Sequence, residues 1–330
     1  ARKVWDIAAE ANGLVRRLVA AHGIDCDLRD GILDVAWKAS HAPMLAEWAE
    51  VAAREWGHPD IRAVSRDELA QLIGTSRYHG GYLDGAAGHL HPLRFALGLG
   101  RAAAAAGARL HERSHVLAID GATVTTEAGT VRAEHVILAC NGYLDGLVPE
   151  VQRRSMPINN FVVATEPLSP ETAARINPQR LAVADTKFVI NYWRMTPDNR
   201  LLWGGGESYG KRFPRDIAGL VRRTIAPVYP EIAREARIDF AWGGTLAITG
   251  RRMPSFRRVG ERVLAVSGWS GSGVHMATMG GLIAAEAVLG QTGRWDVMAR
   301  LPVPPFPGGD WFRAPLLALA MSWYALRDRL

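Results

Sequence analysis

A strand, a glycine-rich turn and a helix follow one another over Val263–Glu286, and this segment constrains the fold most. The apolar run Val263–Val266 is typical of a buried strand, and a turn with the sequence GWSGSG begins at Gly268. A helical pattern with small residues on one face continues to Gly290. Unpaired backbone N–H groups at such a helix start can bind an anion or an electron-rich ring edge. We therefore expect Gly271–Val274 to contact a phosphate or a ring carbonyl.

The spacing of the glycines disfavours a dinucleotide phosphate at this position. Read as G-x-G-x-x-G, the run contains Gly271 and Gly273 but has Met276 in place of the third glycine. A dinucleotide-binding unit would continue into a second strand that ends in an acidic residue. The Pro-rich coil Pro302–Pro307 follows instead. A helix N-terminus that approaches a ring is the interpretation that stays open.

The composition indicates a globular protein with a large core and limits its partners. The chain of 330 residues is 48% hydrophobic and 22% charged, which suits one large domain or two ordinary ones. Its net charge of +6 comes from arginines, and the densest cluster, Arg251–Arg252 with Arg257–Arg258, is small. A nucleic-acid partner is therefore not predicted. The two cysteines, Cys26 and Cys140, provide neither a disulfide framework nor a metal site.

The two ends of the chain carry helical patterns. The segment Ala1–Ala21 has apolar residues at three- and four-residue steps but no preceding cap, so we expect a further segment upstream. No signal peptide precedes the fold, which favours a cytoplasmic protein. The apolar run Ala314–Leu326 is too short to span a bilayer and predicts an amphipathic helix. Packing on its own domain is favoured over contact with a membrane surface.

Between these ends the patterns predict a mixed α/β fold. Two strands, Ile24–Leu28 and Gly31–Trp37, are expected to form a hairpin around an Asp-Gly turn. The buried strand that ends at Cys140 follows a β-rich excursion that begins near Ala108. A second, alternating set of strands is predicted at Phe161–Glu166, Phe188–Arg194 and Arg200–Gly205, and a further strand at Ile238–Thr249.

Six segments, taken together and in this order, resemble the FAD-dependent amine and amino-acid oxidases of the D-amino-acid oxidase superfamily. The nearest subgroup is similar to γ-glutamylputrescine oxidases, relatives of glycine and sarcosine oxidases. The segments are GAAGHLHPLRFALGLGRAA (Gly85–Ala103), VILACNGYLDGL (Val136–Leu147), NYWRMTPDNRLLWGGG (Asn191–Gly206), AWGGTLAITGRRMP (Ala241–Pro254), GWSGSGVHMAT (Gly268–Thr278) and RLPVPPFPGG (Arg300–Gly309).

The resemblance implies a Rossmann-like FAD-binding domain and a substrate domain whose antiparallel sheet covers the flavin. The N-terminal βαβ unit that carries the pyrophosphate glycines in this family has no copy in the chain, so the FAD domain is expected to be N-terminally truncated. The implied division is 1–85 for helices and a hairpin mostly on the substrate side, 86–150 for part of the FAD domain, 151–238 for the substrate sheet, 239–300 for the C-terminal part of the FAD domain, and 301–330 for a Pro-rich segment and terminal helix.

The resemblance also implies FAD contacts at four places. They are the backbone of Val116 near the adenine, a turn after a strand, a turn beside the isoalloxazine, and a helix start aimed at the pyrimidine carbonyl. Val116 is equally compatible with an ordinary core position, and the turn beside the isoalloxazine with a β-bulge. The remaining residues are Ala139, Cys140, Asn141, Trp242, Gly243, Gly244, Thr245, Gly268, Gly271, Ser272, Gly273 and Val274.

Tyr192, Arg194 and Arg252 are expected on strands that face the flavin, where they would position the substrate. An arginine fork suits the carboxylate of an amino acid or a γ-glutamyl amide. A solvated surface arginine and a core tyrosine are the alternatives that the sequence leaves open.

The implied reaction is the oxidation of an amine or amino acid at its C–N bond by hydride transfer to the flavin. Oxygen or another electron acceptor would then reoxidise the cofactor. Some relatives use a lysine for oxygen activation, but Arg200–Gly206 contains none, so oxidase and dehydrogenase both stay open. Alternatives are a non-catalytic remnant or interaction module, a nicotinamide dehydrogenase, and a membrane-associated amine dehydrogenase docked through Trp311–Leu330.

Overall fold

The structure is a computed structural model that describes residues 1–208 and 212–307, which form two compact units. The first unit contains Ala1–Cys26, Pro92–Ile158 and residues 245–307, and the second contains Asp27–His91 and Asn159–Gly244. The predicted terminal helix at 314–326 and the proposed membrane-docking segment at 311–330 lie outside the described residues.

Helices and strands alternate along the chain, as predicted for a mixed α/β fold. The α-helices are α1 (Arg2–Ala21), α2 (Ala42–Trp56), α3 (Arg66–Ile73), α4 (Pro92–Ala105), α5 (Pro149–Gln152), α6 (Pro170–Ile176), α7 (Ile217–Ile225), α8 (Pro230–Glu235), α9 (Gly273–Val288) and α10 (Gly293–Ala299). The strands are β1 (Arg29–Val35), β2 (Ile61–Val64), β3 (Gly81–His89), β4 (Val116–Asp120), β5 (Thr123–Thr126), β6 (Thr130–Arg132), β7 (Val136–Leu138), β8 (Ser155–Pro167), β9 (Ala182–Asp185), β10 (Tyr192–Met195), β11 (Arg200–Ser208), β12 (Ile238–Thr249), β13 (Ser255–Val259) and β14 (Val263–Ser267).

An eight-stranded sheet organises the second unit, with the order β12-β8-β11-β10-β9-β1-β3-β2. β1 pairs antiparallel with β3 and parallel with β9. The predicted hairpin of Ile24–Leu28 with Gly31–Trp37 is wrong, because Ile24–Leu28 forms no strand. β1 pairs instead with β3 and β9, which lie much later in the sequence. The positive φ of 48° at Asp27 turns the chain immediately before β1.

One face of this sheet carries the core of the second unit. Trp193 and Met195 of β10 point into it, and the indole of Trp193 stacks on that of Trp203 with 4.5 Å between the ring centroids. Because side chains alternate along a strand, Tyr192 and Arg194 lie on the opposite face. β10 is shorter than the predicted strand Phe188–Arg194, since the buried Asp185 carboxylate accepts hydrogen bonds from the backbone of the preceding loop.

A smaller sheet, β13-β14-β7, and the helices α1, α9 and α10 form the main core of the first unit. Every residue of β14 is buried, and β14 and α9 confirm the predicted strand and helix. The helix α1 belongs to this unit, because Ile7, Ala11 and Leu14 pack in the same cluster as residues of α9. The boundaries of the units therefore differ from the predicted division at residue 85.

The antiparallel meander β4-β5-β6 forms the other small sheet of the first unit. Ile119 and Val124 pack from it against the cluster around β7. Among the helices of the described residues, none is long and apolar enough to cross a membrane.

Candidate cofactor and substrate sites

The loop between β14 and α9 is held in an unusual backbone conformation. Gly268, Ser270 and Gly271 have φ values of 74°, 51° and 99°. The Ser270 N–H donates to the carbonyl of Ala247 at 3.1 Å, and the Ser270 hydroxyl accepts from the Thr249 N–H at 3.1 Å. These bonds fix the loop to β12, so its shape does not depend on its glycines alone.

A second loop, after β7, is joined directly to the first. Asn141 adopts a positive φ of 48°, and its side-chain oxygen accepts a hydrogen bond from the Gly268 N–H at 3.2 Å. The next residue, Gly142, lies so close to β12 that an added Cβ would be 2.6 Å from the carbonyl oxygen of Thr245. The Thr245 N–H donates to the hydroxyl of Tyr143 at 2.9 Å. Three of the predicted cofactor segments thus meet within the first unit.

The N-terminus of α9 presents unsatisfied donors beside these loops. Ser272 occupies the cap position without a side-chain cap hydrogen bond, and the first turn contains no acidic residue. Val274 is 42% exposed, and a Cβ added at Gly271 or Gly273 would meet nothing within 4 Å. Burial lowers the pKa of His275, so its ring is neutral at pH 7. Open space, uncapped N–H groups and the positive end of the helix dipole fit an electron-rich ring edge.

The other predicted cofactor positions differ in their surroundings. Ala139 and Cys140 follow β7 as expected for the turn after a strand, and burial raises the pKa of the Cys140 thiol, which disfavours the reactive thiolate. Val116 begins β4, in the meander.

The segment Trp242–Thr245 confirms the strand predicted at Ile238–Thr249, whereas the turn that the resemblance implied there is wrong. It lies within the continuous strand β12 and not in a turn. Trp242 is 44% exposed, whereas a Cβ added at Gly243 would be 2.7 Å from the ring of Phe161. The close approach of that ring explains the glycine at 243. Trp242, Gly243 and Gly244 belong to the second unit, and Thr245 to the first.

Tyr192 lies on the open face of the large sheet. Its ring covers the backbone of Gly204 on β11, where an added Cβ would overlap the ring, and its hydroxyl donates to the Oδ1 of Asn160. Burial and the nearby Glu207 raise the pKa of Tyr192 to about 12, so the phenol is neutral at physiological pH. With 37% of the residue exposed, the phenol oxygen can also accept a hydrogen bond from a ligand.

Arg194 lies on the same face but in a different environment. Its guanidinium donates to the Asp27 carboxylate at 3.2 Å and contacts the Nδ1 of His89 at 3.4 Å. The Nε2 of His89 donates to the Arg180 carbonyl at 3.0 Å, while burial and Arg194 lower the pKa of His89 to about 4. Only 8% of Arg194 is exposed. Its charge is therefore already balanced by Asp27, which weakens the case for Arg194 as a ligand of a substrate carboxylate.

Arg252 does not lie on a strand, so that prediction is wrong. It follows β12 in an exposed turn with a φ of 57°, and its N–H donates to the Thr249 carbonyl at 3.0 Å. Thr249 also bonds Met253 through its hydroxyl, which ends the strand before Arg252.

Sequence reasoning missed Asp34, whose carboxyl group accepts a hydrogen bond from Tyr82 on the same face as Tyr192. The available signal was a charged residue inside the apolar alternation ILDVA. It also missed Asn160, which orients the Tyr192 hydroxyl from a neighbouring region of the sheet.

Comparison with known proteins identifies the family. The model of the DAO family, described as FAD dependent oxidoreductase, matches residues 1–287. This chain belongs to that family. A probable oxidoreductase, OrdL, of Rhizobium meliloti is 40% identical over 100% of this chain and 77% of its own length. The gamma-glutamylputrescine oxidoreductase of Escherichia coli strain K12 is 36% identical over 100% of this chain and 78% of its own.

Solved structures support the same fold. Glycine oxidase from Geobacillus kaustophilus superposes with a TM-score of 0.74 at 21% identity, covering 87% of this chain and 79% of its own. L-proline dehydrogenase from P. horikoshii gives a TM-score of 0.73 at 18% identity, with 95% and 83% covered. The chain is thus a mixed α/β, FAD-dependent oxidoreductase of the DAO family, and FAD is its cofactor.

Proposed function

We propose that this protein oxidises the C–N bond of a primary amine in a diamine-derived substrate such as γ-glutamylputrescine. The 36% identity to the gamma-glutamylputrescine oxidoreductase over the whole chain supports this substrate class. The OrdL relative is more similar, at 40%, but its description does not specify a substrate. The single observation that carries the cofactor chemistry is the open, uncapped start of α9, locked by the Asn141–Gly268 hydrogen bond.

The first unit would hold the pyrimidine edge of the flavin. The free N–H groups at Gly273 and Val274 would donate to a ring carbonyl, and the helix dipole would favour negative charge at that edge. Held there, the flavin would supply hydride-accepting chemistry, by which an amine carbon is oxidised to an imine that water then hydrolyses. No acidic side chain in the first turn of α9 opposes this stabilisation.

The second unit would position the amine. The neutral phenol of Tyr192 would accept a hydrogen bond from the substrate N–H, while Asn160 holds the hydroxyl in place. The raised pKa keeps this group protonated, so it acts in orientation and not as a general base. Gly204 leaves room for the ring to lie flat on β11, which fixes the oxygen relative to the sheet.

Anaerobic mixing tests this assignment. The FAD-loaded protein is mixed with γ-glutamylputrescine, and the absorbance of oxidised flavin is followed in time. We expect complete reduction and an aldehyde product, whereas γ-glutamylputrescine acetylated at its terminal amine should leave the flavin oxidised. Reduction by glycine or proline but not by γ-glutamylputrescine would contradict the proposal.

Admitting oxygen afterwards separates the two kinds of enzyme. Fast reoxidation with release of hydrogen peroxide identifies an oxidase. Flavin that stays reduced in air, but is reoxidised by an artificial acceptor such as a quinone, identifies a dehydrogenase.

A further inference from the structure

A row of residues crosses the face of the large sheet opposite its core, from Tyr192 to Asp34, where α2 lies beside the row. Tyr192 on β10 pairs with Ala184 on β9, and Ala184 pairs with Asp34 on β1. Asp34 in turn pairs with Tyr82 on β3. Since neighbouring strands lie about 4.8 Å apart, two strand spacings place Asp34 roughly 10 Å from Tyr192.

The residue between them leaves the row open. Ala184 contributes only a methyl group and is half-buried, so no long side chain of the pairing strand separates Tyr192 from Asp34. On the far side of Tyr192, its other partner in the row is Gly204, which the Tyr192 ring covers, so the open stretch runs from Tyr192 over Ala184 toward Asp34. The backbone therefore provides a shallow floor on which an extended chain can lie.

Asp34 is a half-buried carboxylate that no cation of the described residues neutralises. The Tyr82 hydroxyl donates to it, and the Trp48 indole N–H in turn donates to the Tyr82 oxygen. Within the described residues, no lysine, arginine or histidine forms an ion pair with Asp34. A carboxylate withdrawn from water in this way costs free energy unless a positive charge joins it.

The neighbouring Asp84 shows how a purely structural carboxylate is satisfied in this fold. One of its oxygens bonds the Nε2 of His58 at 2.7 Å, and the other accepts from the backbone N–H groups of Ala86 and Ala87 at 3.1 and 2.9 Å. Asp34 lacks such a set of partners. Its burial, followed by the charge of Asp84, raises the pKa of Asp34 to about 6, so it is ionised at pH 7.5 but poorly compensated.

Two aromatic rings complete the surroundings of Asp34. Trp48 lies on α2 and is 42% exposed, and the half-buried Tyr82 joins it to the carboxylate through the hydrogen-bond relay. A carboxylate flanked by aromatic rings matches an alkylammonium group, which binds by a charge-assisted hydrogen bond and by cation–π attraction.

We propose that Asp34, with Tyr82 and Trp48, forms a subsite for a second ammonium group of the substrate, about two strand spacings from Tyr192. This inference rests on the proposed function and deepens it, since it requires a substrate that is cationic at both ends. The amine at Tyr192 must lose its proton to be oxidised, whereas the distant ammonium keeps its charge and anchors the chain. Asp34 therefore selects the substrate and does not take part in the hydride step.

The test compares two pairs of amines on the FAD-loaded wild type and the Asp34→Asn variant. The first pair is γ-glutamylputrescine and glutarylputrescine, which lacks only the α-amino group. The second pair is diaminoheptane and heptylamine, which differ only in the distant ammonium. Glu127→Gln removes an exposed carboxylate of the first unit and serves as the control for net charge.

We expect wild type to favour the dicationic member of the oxidised pair by about tenfold or more in kcat/KM, mainly through KM. Asp34→Asn should remove this preference with little change in kcat for the monocationic member, and Tyr82→Phe should reduce the preference while retaining the ring. Glu127→Gln should keep the wild-type preference. An equal loss for both members in Asp34→Asn would overturn the inference.

The two pairs of amines distinguish a failure of the proposed substrate from a failure of the Asp34 subsite. If the wild type oxidises the diaminoheptane pair but not γ-glutamylputrescine, the named substrate fails while the Asp34 subsite is still tested by the second pair. If the wild type oxidises only amines without a second cation, the subsite is overturned.

Discussion

The side-chain oxygen of Asn141 accepts a hydrogen bond from the backbone N–H of Gly268 at 3.2 Å and so joins two loops that are 127 residues apart. Each loop follows a strand of the β13-β14-β7 sheet, and each adopts a positive φ at the contact. The bond holds the glycine turn that leads into α9, where we propose that the flavin edge docks. The amide of Asn141 therefore shapes the cofactor site without belonging to α9.

Removing this amide should weaken FAD binding. Asn141→Gly retains the left-handed backbone but loses the acceptor, so we expect a loss of about 1 kcal/mol and a roughly fivefold rise in the Kd for FAD. Asn141→Asp keeps an acceptor oxygen and should bind FAD more tightly than the glycine variant. Fluorescence titration of the apoprotein measures both, with the exposed amide variant Gln291→Ala as the control. Unchanged affinity in Asn141→Gly would show that the loops hold their shape without this bond.

Tyr192→Phe should impair substrate positioning while leaving the fold intact. The ring would still cover Gly204, but the bonds from and to the phenol oxygen would be lost. We expect kcat/KM for the amine to fall about fivefold, for a loss of about 1 kcal/mol.

A matched control for that variant comes from the core. The Tyr229 hydroxyl donates to the Ile73 carbonyl at 2.6 Å in the buried centre of the second unit. Tyr229→Phe should lower the melting temperature but leave KM unchanged, because the Tyr229 hydroxyl is buried in the core. Equal kinetic effects from the two variants would argue against a substrate contact at Tyr192.

The stability of the protein should depend on pH through Asp34. Burial raises its pKa from 3.8 to about 6 in the folded state, so the unfolded chain releases this proton first as the pH rises. The protonated carboxyl of Asp34 stabilises the folded state. Its contribution to the free energy of unfolding is fully present below the unfolded-state pKa of 3.8 and is lost as the pH rises through 6. At pH 8, Asp34→Asn should therefore be more stable than wild type by up to about 3 kcal/mol, since the pKa of Asp34 rises from 3.8 to about 6 on folding.

Paired thermal melts from pH 4 to pH 8 check this expectation. The difference between wild type and Asp34→Asn should grow with pH and level off above the folded pKa. A variant that is less stable at every pH would mean that the carboxylate has a structural partner, and would also weaken the proposed ammonium subsite.

Local patterns in the sequence were sufficient for some elements and insufficient for others. β14 and α9 were predicted closely because a buried apolar run, glycines and helical spacing lie within one short segment. The supposed strand Ile24–Leu28 failed because β1 pairs with β3 and β9, which the local Asp-Gly signal cannot encode. The resemblance placed Arg252 on a strand, yet Thr249 ends β12 through bonds to residues that follow it.

In the candidate site, too, residue identities could be predicted from the sequence, whereas contacts between distant segments could not. The resemblance indicated both Asn141 and Gly268 as cofactor residues, but their mutual bond depends on a contact between distant parts of the chain. Arg194 was expected to face a substrate from its place on β10. The ion pair of Arg194 with Asp27 could not be anticipated, because the two residues are far apart in the sequence. Asp27 reaches Arg194 because its positive φ turns the chain immediately before β1.

The central claim, that the start of α9 stabilises negative charge on the flavin, is tested most directly by the midpoint potential of bound FAD. Val274→Glu puts a carboxylate in the exposed first turn, where it should stabilise the helix but oppose reduction of the flavin. Val274→Gln has nearly the same shape as Val274→Glu without the charge, and Leu289→Glu adds the same charge at the exposed far end of the helix, about 22 Å away.

We predict that Val274→Glu lowers the two-electron potential by on the order of 30 mV relative to Val274→Gln, for about 1.4 kcal/mol, and weakens FAD binding in the same direction. Leu289→Glu should leave both quantities near their wild-type values. Equal potentials and affinities in Val274→Glu and Val274→Gln would contradict the account, because a flavin edge docked at α9 must sense that charge.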